Sequence, residues 1–225
     1  MNIERLVVKI GSGFLFENSK NNDCCSVFKP EQMDCLVDEL AKISDKKEIA
    51  VVSSGAMATA AYRQKLKELP LNDYEKAQLS GEGQFYLMNE YAQRFEKYGK
   101  RCAQILVCND DFSNTKSRRN LRRNQEAYFR KGTIAIYNEN DLVSIEEITF
   151  GDNDILAAKL ACLIDADLLV ILSNPVEELG KGGGKSKEEA KKIVKEKGIN
   201  FEILNGQYSK DEKGNYEPKL LKLIF

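Results

Sequence analysis

Four clusters of residues in this chain have the types and spacing to hold an anion or a small charged molecule. The first is Val7-Val8-Lys9-Ile10-Gly11-Ser12-Gly13, a lysine near the end of an apolar run that passes into glycines. Glycine lets backbone N–H groups approach an anion closely and the lysine adds a point charge, although a plain strand-to-loop turn has the same pattern. The second, Val51-Val52-Ser53-Ser54-Gly55-Ala56-Met57, puts small residues between an apolar run and an alanine-rich helical pattern. It reads as a carboxylate or phosphate site at a helix N-terminus, or as a tight strand-to-helix turn. The third joins Asn138-Glu139-Asn140-Asp141 to Phe150-Gly151-Asp152-Asn153-Asp154. So many Asn and Asp beside buried strands are costly unless an ammonium, a lysine or a metal-nucleotide is bound there. The alternative is a pair of Asx turns with Asp152 or Asn153 capping the next helix. The fourth, Gly180-Lys181-Gly182-Gly183-Gly184-Lys185-Ser186-Lys187, departs from a P-loop because Leu179 stands where the first glycine belongs. It is either an anion-binding loop in which Lys187 reaches a phosphate, or a linker before a solvated helix.

What is missing narrows the chemistry. The chain has no histidine, which removes Ser-His-Asp and Cys-His catalysis and the commonest transition-metal ligand. Its six cysteines, at 24, 25, 35, 102, 108 and 162, show neither zinc-site spacing nor the density of a secreted disulfide scaffold, and read as reduced thiols. The 34 basic and 35 acidic residues leave a formal charge of -1, so no field of one sign invites nucleic acid or an anionic membrane. Met1 to Lys9 carries charge and lacks the apolar core of a signal peptide, and no apolar run approaches membrane-spanning length. A cytoplasmic protein is expected.

The elements that must carry these clusters follow from periodicity. Short apolar runs bounded by Gly or Asp alternate with helical patterns, which predicts stacked βα units on a mostly parallel sheet. Strands are expected at Leu6 to Ile10, Ile49 to Ser53, Cys102 to Val107, Thr133 to Tyr137, Leu168 to Leu172 and Phe201 to Leu204. Pro30 opens a helix whose Met33, Leu36, Val37, Leu40 and Ile43 form one apolar stripe. Further helices are expected at Ile155 to Ile164 and Glu188 to Lys197. Gly99, Gly132 and Gly198 stand where helices end, Glu17 to Ser26 and Gln207 to Pro218 read as exposed loops, and Leu220 to Phe225 as an antiparallel edge. With 225 residues and 42% hydrophobic composition, one large α/β domain is the simplest organisation.

Taken in order, the motifs resemble the glutamate 5-kinase family of amino-acid kinases. The resemblance runs through Val-Val-Lys-Ile-Gly-Ser, Val-Ser-Ser-Gly-Ala, Gly83-Gln84 with Leu87-Met88 and Tyr91, and Gln104-Ile105-Leu106 to Asp110-Asp111-Phe112. It continues through Asn138 to Asp141, Phe150 to Asp154 and Ala166-Asp167-Leu168-Leu169, and resumes at the glycine-lysine loop. It implies a three-layer αβα sandwich in which L-glutamate and ATP, with Mg²⁺, meet at the carboxyl edge of the sheet. Ser54, Gly55, Ala56, Asp141 and Asn153 would hold glutamate. Lys9 and Lys187 would neutralise the phosphoryl group in flight, with Asp154 positioning them. Lys9, Gly11, Ser12, Gly13, Ser173, Asn174, Gly182, Gly183, Gly184 and Lys187 would contact the nucleotide. The family also implies a homo-oligomer, a dimer or tetramer.

The chain departs from the family after Leu172. Ser173-Asn174-Pro175 stands where a Thr-Asp pair is usual, only Val176 to Leu179 precedes the glycine loop, Lys185 replaces a methionine, and no RNA-binding-like domain follows Phe225. The expected organisation is therefore one domain over residues 1–225, with a substrate part at 1–172 and a shortened nucleotide part at 173–225. Two functions remain in view: phosphorylation of the glutamate side chain as the first step of proline biosynthesis, or a non-catalytic glutamate-binding or regulatory paralogue.

Overall fold

A computed structural model describes residues 3–17, 26–67, 71–144, 152–173 and 183–225. Six strands form its central sheet: β1 (Arg5–Ile10), β4 (Glu48–Ser53), β5 (Arg101–Val107), β6 (Thr133–Glu139), β7 (Leu168–Ser173) and β8 (Asn200–Asn205). Their order is β5-β6-β4-β1-β7-β8 and every pairing is parallel. The six expected strands are all present, each within two residues of its sequence limits. Phe16–Glu17 (β2) and Val27–Phe28 (β3) pair as a small antiparallel ribbon, so the expected exposed loop at Glu17 to Ser26 has paired ends.

Side-chain alternation along the strands separates two cores. On one face Leu6, Val8 and Ile10 of β1 pack with helix α2 (Pro30–Ser44) and with Leu87, Tyr91 and Phe95 of α4 (Asp73–Glu96). On the other face Val7, Val52, Tyr137 and Ile171 pack with α6 (Thr115–Lys131), α7 (Asp152–Leu163) and α8 (Gly183–Lys195). The result is the expected αβα sandwich. The predicted stripe on α2 is fully covered, and Gly99, Gly132 and Gly198 all adopt positive φ at helix ends.

Three expectations change. Leu220–Ile224 is a short helix, α9, not an edge strand, because the buried carboxylate of Glu39 on α2 accepts from the N–H groups of Leu220 (3.0 Å) and Leu221 (3.2 Å). Helix α8 begins at Gly183, five residues before its expected start, so Gly183 and Gly184 lie in a helical first turn and not in a loop. The segment at Gln207 to Pro218 does turn at Gly214 (φ 83°), yet its start is anchored. There the Tyr208 backbone exchanges hydrogen bonds with the Gln32 side chain (2.6 and 3.1 Å), and Gln207 donates to the carbonyls of Gly13 and Phe14.

Candidate active site

The carboxyl ends of β1, β4, β6 and β7 bring the clusters together, at the edge where open α/β sheets bind ligands. Lys9 lies on the α7 face of β1, between Val7 and the strand end, and is 7% exposed. Its Nζ meets Asp154 Oδ1 in the first helical turn of α7 at 2.6 Å. The other carboxylate oxygen, Oδ2, accepts from Ser186 Oγ at 3.0 Å and lies 3.7 Å from Lys187 Nζ, both on α8. Asp154 is 1% exposed, and a charge so deeply buried is tolerable only when paired. One buried carboxylate therefore holds two ammonium groups side by side at the sheet edge.

Asn153, the neighbour of Asp154, faces the opposite core. Its Nδ2 donates to Ser54 Oγ and to Asn138 Oδ1, both at 2.9 Å. Helix capping by Asn153, the alternative suggested by sequence, is thus displaced by tertiary bonds. Asn138 stands on the α4 face of β6 and donates to Gln84 Oε1 of α4 at 2.9 Å. One turn earlier on α4, Ser80 Oγ donates to the Asp141 carboxylate. Burial raises the Asp141 pKa above its ordinary value, and the Ser80 hydrogen bond opposes that rise. Two adjacent residues, Asn153 and Asp154, therefore join a cluster of hydrogen-bonded amides on one side of the sheet edge to the lysine pair on the other.

Two of the glycines sit where a side chain would be strained or crowded. Gly55 precedes helix α3 (Ala56–Gln64) at φ 110°, and a Cβ there would stand 3.3 Å from the Phe16 ring. A Cβ on Gly11 would stand 3.2 Å from the Leu172 carbonyl, to which Gly11 N–H donates. Ser12 and Gly13 then turn in the single helical turn α1 (Ser12–Leu15), and Ser173 ends β7. Asn174 and Gly182 lie outside the described residues.

Sequence reasoning assigned no role to Ser80, Gln84, Asn138 or Ser186. The motifs containing Gln84, Asn138 and Ser186 stand out in the sequence, but the partners of these side chains are far away along the chain. Burial and nearby acids push Cys35 up to about 11, and burial raises Cys102 and Cys162, the reverse of an activated thiol. No described helix is long and apolar enough to cross a membrane.

The parallel αβα sheet carries a buried Lys-Asp-Lys group at its carboxyl edge, and residues 4–224 match the amino acid kinase family model. The chain belongs to the amino acid kinase family. It is similar to proteins named glutamate 5-kinase: 40% identical to glutamate 5-kinase 2 of Bacillus subtilis over 85% of this chain, and 34% identical to glutamate 5-kinase of Clostridium acetobutylicum over 92% of it. The chain spans 50% of the Bacillus protein and 88% of the Clostridium one. UMP kinase from Ureaplasma parvum shares the fold, with a TM-score of 0.58 at 15% identity, 99% of this chain and 96% of that one being covered.

Proposed function

We propose that this chain transfers the γ-phosphate of ATP to the side-chain carboxylate of L-glutamate, giving L-glutamyl 5-phosphate, the first step of proline biosynthesis. The observation that carries the reading is the buried group Lys9–Asp154–Lys187 set next to Asn153 and Ser54. A carboxylate is already ionised at pH 7, so no general base is needed and a chain without histidine suffices. The carboxylate oxygen forms its bond to the γ-phosphorus as the bond to the bridging oxygen breaks, and ADP leaves with that electron pair. Lys9 and Lys187 stabilise charge on the moving phosphoryl group, and Asp154 keeps them in place.

Ser54, the turn at Gly55 and Ala56, Asp141 and Asn153 bind the amino acid in this reading. Gly11, Ser12, Gly13, Ser173, Gly183 and Gly184 adjoin the nucleotide. Mg²⁺ supplies further charge neutralisation when bound. Among the described residues no group of three or more acidic or cysteine side chains gathers at one point, and we assign the ion to the ATP phosphates. A single kinase domain over residues 1–225, a cytoplasmic location and a homo-oligomeric state complete the proposal.

The test is ADP formation by purified protein with Mg-ATP and L-glutamate, with hydroxylamine trapping the acyl phosphate. L-Glutamate should stimulate turnover and yield the hydroxamate, while D-glutamate and aspartate give much less. ADP release indifferent to glutamate would sink the reading and favour the non-catalytic binder.

A further inference from the structure

We infer that Gln84 is a positioning residue that keeps the amide of Asn153 turned so that it presents an oxygen to the substrate's ammonium group; this rests on the glutamate reading above. Each Asn or Gln side chain has a donor end and an acceptor end, and its partners decide which way it faces. The chain of amides starts at Gln84, 5% exposed on α4, whose Oε1 accepts from Asn138 Nδ2 at 2.9 Å. At its other end Asn138 Oδ1 accepts from the backbone N–H of Glu139 and from Asn153 Nδ2, each at 2.9 Å. Asn153 Nδ2 also donates to Ser54 Oγ.

Two consequences follow at this cluster. Asn153 Oδ1 is buried and has no hydrogen-bond partner among the described residues, an unsatisfied acceptor that an ammonium group would satisfy. Ser54 Oγ, having accepted, keeps its own hydrogen to donate to a carboxylate. That polarity fits a zwitterionic amino acid.

Removing the Gln84 acceptor would strand the Asn138 Nδ2 donor in a buried site. The repair open to the chain of amides is for Asn138 and Asn153 both to turn over, so that Asn138 Nδ2 faces Asn153 and the Asn153 oxygen accepts from it, which withdraws that oxygen from the ligand. Gln84 reaches Asn138 only because α4 lies hard against α3: a Cβ on the adjacent Gly83 would stand 1.8 Å from the Ala56 carbonyl oxygen.

The experiment compares Gln84→Met, which fills the space without an acceptor, with Gln84→Glu, which keeps one. Gln84→Met should raise the glutamate KM by roughly tenfold or more, with kcat and the ATP KM within about twofold of wild type. Gln84→Glu should restore most of the affinity. Side-chain amide NMR, without substrate, should show slow exchange for Asn138 and Asn153 in the wild type and loss of that protection in Gln84→Met. Equal losses in both variants, or unchanged KM and amide exchange in Gln84→Met, overturn the inference. A wild type without glutamate-dependent turnover would sink the function reading instead, and the amide exchange would still decide the role of Gln84.

Discussion

At the scale of single residues, the proposed reaction divides labour between charge for the moving phosphoryl group and recognition of the amino acid. Lys9 touches Asp154 and faces the α7 layer, away from Asn138 and Gln84. Lys9→Ala should therefore lower kcat by about 100-fold or more while changing the glutamate KM little. Asp141→Ala should do the reverse, and steady-state kinetics with both substrates varied checks the pair. The Asp141 carboxyl also predicts a pH dependence. Its pKa is raised by burial, so as pH falls it becomes neutral earlier than an ordinary carboxylate and its attraction for an ammonium group is lost. Ser80→Ala removes the bond that opposes the rise, so the acidic limb of kcat/KM for glutamate should move to higher pH. For stability the sign is opposite. A folded pKa above the unfolded one means that the folded state binds more protons between the two values, so the Asp141 contribution is lost as pH rises through that window. Coincident acidic limbs for Ser80→Ala and wild type would remove Ser80 from this role.

At the scale of elements, the contact between α3 and α4 holds the turn at Gly55 and Ala56 in place. Gly83 allows it, since a Cβ there would overlap the backbone of Ala56 at 1.8 Å and approach Ala60 N at 2.9 Å. Gly83→Ala should therefore destabilise by about 3 kcal/mol or more, the upper end for overpacking because the overlap is with backbone, and raise the glutamate KM, because the residues displaced are those at the start of α3. Gly81, two residues earlier, is the control. Its added Cβ would meet only the Leu142 side chain, 2.9 Å away at its tip and 53% exposed, which can swing aside. Gly81→Ala should fall between neutral and about 1 kcal/mol stabilising, from helix propensity. Chemical denaturation of both variants reads the difference, and equal stability would mean that the close approach is not needed. This requirement for Gly83 lies beyond what helical periodicity reports: α4 carries glycines at both positions, and only the neighbouring helix distinguishes them.

At the scale of the whole molecule, the C-terminal segment is tied across the α2 layer by one buried acid. Glu39, 3% exposed, accepts from the Tyr208 hydroxyl at 2.5 Å and from two N–H groups of α9. Glu39→Ala strands all three donors and should cost about 3 kcal/mol or more, with early proteolysis after residue 205 as the local readout. Proteolysis and melting identical to wild type would show that the segment is held otherwise. Leu220 to Phe225 reads as a strand by composition, and this distant carboxylate, 181 residues away from Leu220, is what makes its start helical. The sheet itself was legible, since buried parallel strands are continuous apolar runs that neighbouring residues alone make recognisable. The motifs that end those strands were legible too, because backbone approach to an anion demands glycine and small residues next to the strand that positions them. What only tertiary structure decided was partnership. Whether Asn153 caps its helix or bonds to Ser54 and Asn138 depends on side chains brought together from strands and helices far apart in the chain, whereas Asp154 stands between Lys9 and Lys187 as the resemblance implied. Sequence spacing specifies which face of an element a residue occupies, and only the packing of those faces specifies what it meets.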